Sequence, residues 1–599
     1  MIHTQQSNQQ TSPSQGLTGQ LRQMSQWGAQ PLFYRAWASS RNCRRALFLF
    51  HGEFGHSGRF VDFVETMALP DTAVFAWDAP GFGRSPAPGD APHSFDRLVR
   101  DADQFIRLIC RQHQLRVDHV SVLGVGAGAT LAATWVHDFA PPLRAMVLLS
   151  PAFGYAGSSG LALARLGLRR SQKNGEPITV PTGTSADKLT RDPVEVRRYQ
   201  QDKLIKRRTP VQFRMELDRA ARRMIDDAGA IYCPTLMLTG AADRLMRRGP
   251  QDRFFQAVSS PRKKSQRRQG ARHDLLHDHG RDQVTQQISE FIQQQYAEPL
   301  NGKALLEADR SGYTFEEYRR LRQPLPLISP RRWTYAGQKA ALRSLRLVSR
   351  GVRVGWKEGF DSGRWSDYLY NDRSSGLSTL GRALDRMHLE SSAWRGMRDQ
   401  GVRLQKMVLQ TALNLNSVNS PVRIVDIASG YGRYVLQAMV EIDADVAACA
   451  LLRDIDIPAL KTAGALAKQM NLSNVAVAEG DAFDEESLAK IQPAPTLMVA
   501  ANLYELVAEN EPVLRSLRGM RRAMTEGGYL IYTNQPGNHE RVAKMARIWV
   551  NRERQPLVMR RRTQVEMDAL VREAGFEKVD MQIDSEGRFS VSLARVKPR

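Results

Sequence analysis

Cysteine is scarce, with four residues in 599 (Cys43, Cys110, Cys233 and Cys449), no CxxC pair and no companion histidine spacing. That dispersion argues against a disulfide framework and against a zinc site, and leaves most of the thiols as small buried hydrophobes. Long apolar runs are missing too. None approaches the roughly 18 to 20 residues that span a bilayer, which argues against a membrane-crossing helix. The opening "MIHTQQSNQQTSPSQGLTGQ" lacks the apolar core of a secretion signal, so residues 1–30 read as a disordered leader and the cytoplasm is the expected compartment. Acidic residues are outnumbered, 62 Asp+Glu against 85 Lys+Arg, for a formal net charge of +23. The excess is not confined to a tail: residues 1–300 hold 40 basic against 27 acidic groups, and residues 301–599 hold 45 against 35. Such a balance favours anionic partners, whether nucleic acid, anionic lipid headgroups or phosphorylated metabolites; a solvated Arg-rich surface is the equally weighted alternative.

What is present is enough for two cores, since 599 residues exceed what one core organises. In the first half, "RALFLFHG", "TAVFAWDAPGFGRS", "HVSVLGVGAGA", "RAMVLLSPAF" and "PTLMLTGAADRLM" alternate with helical patterns, the rhythm of a parallel sheet with crossover helices. The rhythm breaks over about 154–228, which reads as a cap inserted over the sheet. An amphipathic helix at 282–296 closes this domain, assigned to 31–298. A connector and helical region follows over 299–385, broken by prolines in "QPLPLISPRRW". Within it, Leu342, Leu345, Val348, Val352 and Trp356 recur at helical spacing among Lys and Arg, although Gly351 and Gly355 weaken a continuous helix. This stretch reads as an anchor on the inner face of an anionic membrane or as a helix packed on the adjoining domain, and packing is preferred. A second strand-helix rhythm fills 386–599 and ends in an antiparallel hairpin, giving an α/β fold in both halves.

In the first half, "FHGEFGHSGRF", "AWDAPGFGRS", "TGAADRL" and "GARHDLLHD" resemble, in order, the loops of an α/β-hydrolase related to monoacylglycerol lipases and serine aminopeptidases. The resemblance implies Asp243 as acid and His273 as base. The elbow that should read GxSxG is Gly-Val-Gly-Ala-Gly at 124–128, with Gly126 in the serine's place. Acyl transfer through a serine needs an oxygen whose proton passes to the histidine, and glycine supplies none. Glu53 and Ala127 can still offer oxyanion-type N–H groups. Ser121 lies inside a strand and Ser150 follows the next one, so neither stands on the elbow.

In the second half, "IVDIASGYGRYV" is a strand ending in Asp426, then a tight turn with Ala428, Gly430 and Gly432, then a helix. Val435 occupies the place of the third glycine of a dinucleotide fingerprint, which disfavours a pyrophosphate-bearing cofactor. Asp454 closes the next strand, where it suits ribose hydroxyls. Asp481, with Ala482 in "EGDAF", suits an adenine amino group, and Asn502 stands at the mouth after the fourth strand. The set resembles the class I S-adenosylmethionine (SAM) dependent methyltransferases, with Ala428 replacing the first glycine of their first motif. A Rossmann-like domain without a cofactor is the alternative.

With "GFDSGRWSDYLYND" before this motif and "YTNQPGNHE", "VMRRRTQVEMDALVREAGF" and "FSVSLA" after it, the chain resembles bacterial fusions of an α/β-hydrolase with a class I methyltransferase. The expected architecture is therefore an N-terminal α/β-hydrolase fold with a cap insertion and a C-terminal Rossmann-like class I methyltransferase fold. The resemblance implies SAM as cofactor and no metal. Tyr504, Glu505, Asn534, Gln535 and His539 lie near the acceptor side, with Glu505 or His539 as candidate base. The run Arg560, Arg561 and Arg562 suits an anionic group on the acceptor. Methyl transfer to an anionic or lipid-related acceptor is the leading expectation. Its competitors are a hydrolase with a non-standard nucleophile and a non-catalytic basic adaptor for membrane or nucleic acid.

Overall fold

The computed structural model describes residues 20–24, 31–38, 43–52, 55–86, 94–156, 179–371, 392–443, 445–537, 540–584 and 587–598, together with 382, 385–386 and 390. The chain divides into two compact units, one of residues 1–136, 141–225 and 233–300, the other of residues 137–140, 226–232 and 301–599.

The first unit holds an eight-stranded sheet. In chain order its strands are β1 (Gln20–Met24), β2 (Leu32–Trp37), β3 (Arg45–Phe50), β4 (Thr72–Trp77), β5 (Val120–Val125) and β6 (Ala145–Leu149). The cap ribbon of β7 (Thr179–Pro181) and β8 (Arg208–Pro210) intervenes before β9 (Thr235–Gly240) and β10 (Lys263–Arg268) complete it. The spatial order is β1-β2-β4-β3-β5-β6-β9-β10, antiparallel across β1-β2-β4 and parallel from there on. Strands β4, β6 and β9 are buried along their whole length, as their near-continuous apolar runs require of a sheet covered on both faces. The insertion after β6 includes helices at Pro193–Gln201, capped by Asp192, and Val211–Asp226; its residues 157–178 lie outside the described residues. One expectation needs correcting: Gln20–Met24 is an edge strand on β2, so the segment read as a disordered leader contains ordered chain.

The second unit carries a seven-stranded sheet. Its strands are β11 (Val422–Asp426), β12 (Ala448–Asp454), β13 (Val475–Glu479), β14 (Leu497–Ala500), β15 (Tyr529–Asn534), β16 (Phe576–Ile583) and β17 (Ser590–Val596). Their order, β13-β12-β11-β14-β15-β17-β16, is parallel through β15 and antiparallel over the closing hairpin. The strand order reverses between β11 and β14, the switch point at which doubly wound sheets bind ligands. Helices from Lys303 to Asn371 belong to this unit rather than forming a free connector. The basic stretch at 338–356 is not one helix: it ends at Leu345 and restarts at Arg350, where the Ser349 hydroxyl accepts the Val352 N–H. Leu342, Val354 and Trp356 pack on a cluster of Phe360, Trp365, Leu369, Val550 and Leu557, so this apolar face is taken up by packing. Among the described residues no helix is long and apolar enough to cross a membrane.

Candidate functional site

In the first unit, β5 enters the helix Ala127–Phe139 through Gly126, whose φ of +55° is left-handed. The flanking glycines allow close approach. A Cβ at Gly124 would lie 2.2 Å from the Gly128 carbonyl oxygen, and one at Gly128 2.3 Å from that of Phe50. The turn has the geometry of a nucleophile elbow with no side chain at its apex. His273 is buried, with Nδ1 2.9 Å from Asp243 Oδ2, and Asp243 Oδ1 accepts the Leu245 and Met246 amides at 2.8 and 3.1 Å. Burial pulls the Asp243 carboxyl up, but His273 and the two amides outweigh it and hold the group below its ordinary value. The Ser150 hydroxyl donates to the His273 carbonyl at 2.8 Å, making it a support for the base loop. His51 donates from Nδ1 to the Gly52 carbonyl and accepts the Ala79 amide at Nε2, an arrangement that fits the neutral ring; burial lowers its pKa accordingly. A cavity of about 70 Å³ lies between His51, His273, His277 and the cap residues Leu189, Tyr199 and Ile205. Asp243 and His273 are thus brought together as a hydrogen-bonded pair. Ala127 opens the helix after the elbow, and Glu53 lies outside the described residues.

In the second unit, four parallel strands end at one edge. Asp426 closes β11, fully buried, with the Tyr434 hydroxyl donating to Oδ2 at 2.5 Å; burial pushes its carboxyl up to about 7. Gly430 and Gly432 are both left-handed, at φ +54° and +63°, and Gly432 begins the helix Arg433–Glu441. Asp454 at the end of β12 accepts the Gly430 amide at 2.7 Å and the Asp456 amide at 2.9 Å, which ties the acid to the glycine turn. Asp481 is exposed just beyond β13 and accepts the Phe483 amide at 2.8 Å. Ala428 and Ala482 pack into the core below this edge. Asn502 follows β14 in a left-handed conformation, held by its N–H to Thr533 Oγ1 at 2.7 Å. Val435 is buried in the helix after the turn.

The helix Gly363–Asn371 contributes what the sequence reading did not assign. A Cβ at Gly363 would sit 3.2 Å from Gly430 Cα, Asp367 pairs with Arg433, and the Tyr370 hydroxyl accepts from Asn502 Nδ2 at 3.3 Å. Positions 363, 367 and 370 share one helical face, a spacing that was available in "GRWSDYLYN".

Of the residues expected near a methyl acceptor, Glu505 is buried and Gln535 lines the same small cavity, whereas His539 lies outside the described residues. The hydroxyl of Tyr504 pairs with Ser516 within the core, and Asn534 Nδ2 donates to the Arg562 carbonyl and to Gln564, so both are structural. The arginine run needs correcting as an anion site. Arg560 is paired with Glu566 at 2.6 Å, and Arg561 with Asp227 at 2.7 Å and Glu317 at 2.6 Å. Arg562 donates to the carbonyls of Tyr504 and Glu509 at 2.6 and 2.8 Å. All three are buried, and their charges are spent bracing the 504–509 loop and its surroundings.

Residues 288–596 match a family described as "Putative methyltransferase", and residues 41–280 match one described as "Serine aminopeptidase, S33". "Uncharacterized protein YnbC" of Escherichia coli (strain K12) is 37% identical over 569 residues, 94% of this chain and 96% of that protein. The chain belongs to this methyltransferase family. The hydrolase half of this methyltransferase-family chain is similar to human monoglyceride lipase, 29% identical over 222 residues, 36% of this chain and 71% of that one. It is also similar to the crystal structure of Paleococcus ferrophilus monoacylglycerol lipase, at 23% identity and a TM-score of 0.39, covering 44% of this chain and 99% of that one.

Proposed function

We propose that the protein is a SAM-dependent methyltransferase whose hydrolase-like half has given up serine catalysis and binds a ligand instead. The observation that carries this reading is the edge formed by β11, β12, β13 and β14, where Asp426, Asp454, Asp481 and Asn502 follow one another around the glycine turn. The donor and acceptor set fits an adenosine with an uncharged ribose. The turn at 430–432 lets backbone approach closely, Asp454 offers a carboxylate to paired hydroxyls, and Asn502 Oδ1 is buried with no hydrogen-bond partner among the described residues. When bound, SAM supplies an electrophilic methyl group on a sulfonium. The chain's own contribution is to hold the adenosine, keep the acceptor in line and exclude water.

Support for ligand binding in the other half comes from the Asp243–His273 pair beside a cavity, with Gly126 at the apex of the elbow. A second reading rests on the same pair, which is built to take a proton from water and hydrolyse an ester without a covalent intermediate. It requires ester turnover that His273→Ala abolishes, and failure across a broad acyl-ester panel would dismiss it. The methyltransferase reading is tested by calorimetric titration of SAM into the full-length protein. Saturable binding is expected, with Asp454→Ala weakening it about tenfold or more. Absence of binding, or unchanged affinity in the variant, would contradict the proposal.

A further inference from the structure

Among the described residues, both carboxylate oxygens of Glu505 are buried without a hydrogen-bond partner, and the residue is 4% exposed. It stands in the single turn Tyr504–Leu506, directly after Asn502 and the carboxyl end of β14, on the edge assigned above to the cofactor. The turn is clamped. The Glu505 carbonyl accepts the Arg560 amide at 3.0 Å, and Arg562 holds the carbonyls of Tyr504 and Glu509. This bracing fixes the backbone that carries the carboxyl.

Glu505 lines a cavity of about 20 Å³ with Gln535, Met559, Arg561, Arg588 and Phe589. Neither arginine pairs with it, and the Arg561 guanidinium is committed to Asp227, Glu317 and the Pro536 carbonyl. Burial, only partly opposed by the residue's own backbone amide and then by Arg562, pushes the Glu505 carboxyl up to about 7. An uncompensated carboxyl at this depth is costly unless something brings it donors and positive charge. A water can satisfy an oxygen but brings no charge; a protonated nitrogen brings both.

We propose that Glu505 receives a cationic N–H group, an ammonium, amidinium or guanidinium, carried by the methyl acceptor. The word acceptor rests on the methyltransferase reading; the cation site itself stands on the geometry of Glu505. It replaces the anionic acceptor suggested by Arg560, Arg561 and Arg562, whose charges are internally neutralised or bonded to backbone.

The test uses the full-length protein and two probes. Methylammonium chloride, compared with potassium chloride at equal ionic strength, is expected to raise the thermal midpoint of the wild type and of Glu505→Asp but not of Glu505→Gln. SAM affinity is measured for all three, so that a loss of cofactor binding is told apart from a loss of the cation site. Labelled methyl transfer from SAM to a small-molecule cell extract, split by ion exchange into cationic, neutral and anionic pools, is expected in the cationic pool. Glu505→Gln should lower it roughly ten- to hundredfold. An equal methylammonium response in wild type and Glu505→Gln, or label confined to the neutral and anionic pools, overturns the proposal. A Glu505-dependent methylammonium response without SAM binding would sink the methyltransferase reading while upholding the cation site.

Discussion

The residue scale is where the second unit departs most from a packed core, because Glu505 and Asp426 are carboxyls buried to the point that both are pushed up to about 7. For Glu505 the ordinary value is 4.5, so the folded form holds its proton more tightly than the unfolded form. The stability this confers is complete below about pH 4.5 and is lost as pH rises through about 7. Glu505→Gln, which cannot ionise, should match the wild type in acid and exceed it at pH 8 by up to about 3 kcal/mol, read from urea unfolding at both pH values. Equal stability at pH 8 would mean that the carboxyl finds a counter-charge in the folded protein. At this scale the sequence was informative about identity and weak about environment. Asp426, Asp454 and Asn502 were legible because strand ends impose a place on them. Arg560, Arg561 and Arg562 were misleading, because an arginine triplet looks the same whether it meets solvent or Asp227, Glu317 and Glu566.

Elements were read more securely than single residues. Most of the parallel strands were visible as apolar runs, and Pro and Gly marked their turns. Several elements escaped, among them β2, the cap ribbon of β7 and β8, and the polar parallel strand β10. β1 is a polar edge strand with four exposed residues, so no apolar pattern betrays it. The stretch at 338–356 keeps helical spacing across a break at Ser349, which periodicity alone does not detect. The elbow supplies a direct trial of an element. Gly126→Ser must place a side chain at φ +55°, at a cost of about 1–2 kcal/mol, and should still fold and become labelled by a fluorophosphonate probe in a His273-dependent manner. Gly124→Ala, with a Cβ 2.2 Å from a carbonyl oxygen, should lose about 3 kcal/mol or more in urea unfolding. A folded but unlabelled Gly126→Ser protein would mean that the base or oxyanion geometry is no longer competent. The 504–509 loop invites the matching trial. Arg562→Ala strips hydrogen bonds from buried carbonyls and should destabilise by about 3 kcal/mol, seen as a lowered unfolding midpoint.

Over the whole molecule, the chain joins a hydrolase fold with glycine at its elbow to a methyltransferase-family fold whose strand ends carry Asp426, Asp454, Asp481 and Asn502. Both halves were foreseeable, since each repeats a strand-helix rhythm long enough to build its own sheet. The net charge of +23 was the less useful global signal, because it does not say which arginines face solvent: Arg560 and Arg561 are buried in ion pairs with Glu566 and Asp227. The central claim is that chemistry lies some 300 residues beyond the elbow, at the β11–β14 edge. Hydrogen–deuterium exchange of the full-length protein with and without SAM tests it most directly. Slowed exchange is expected at 426–434, 454–456, 480–483 and 502–506, with 120–130 and 272–277 unchanged. No protection on adding SAM, or protection confined to the elbow and the His273 loop, would contradict it.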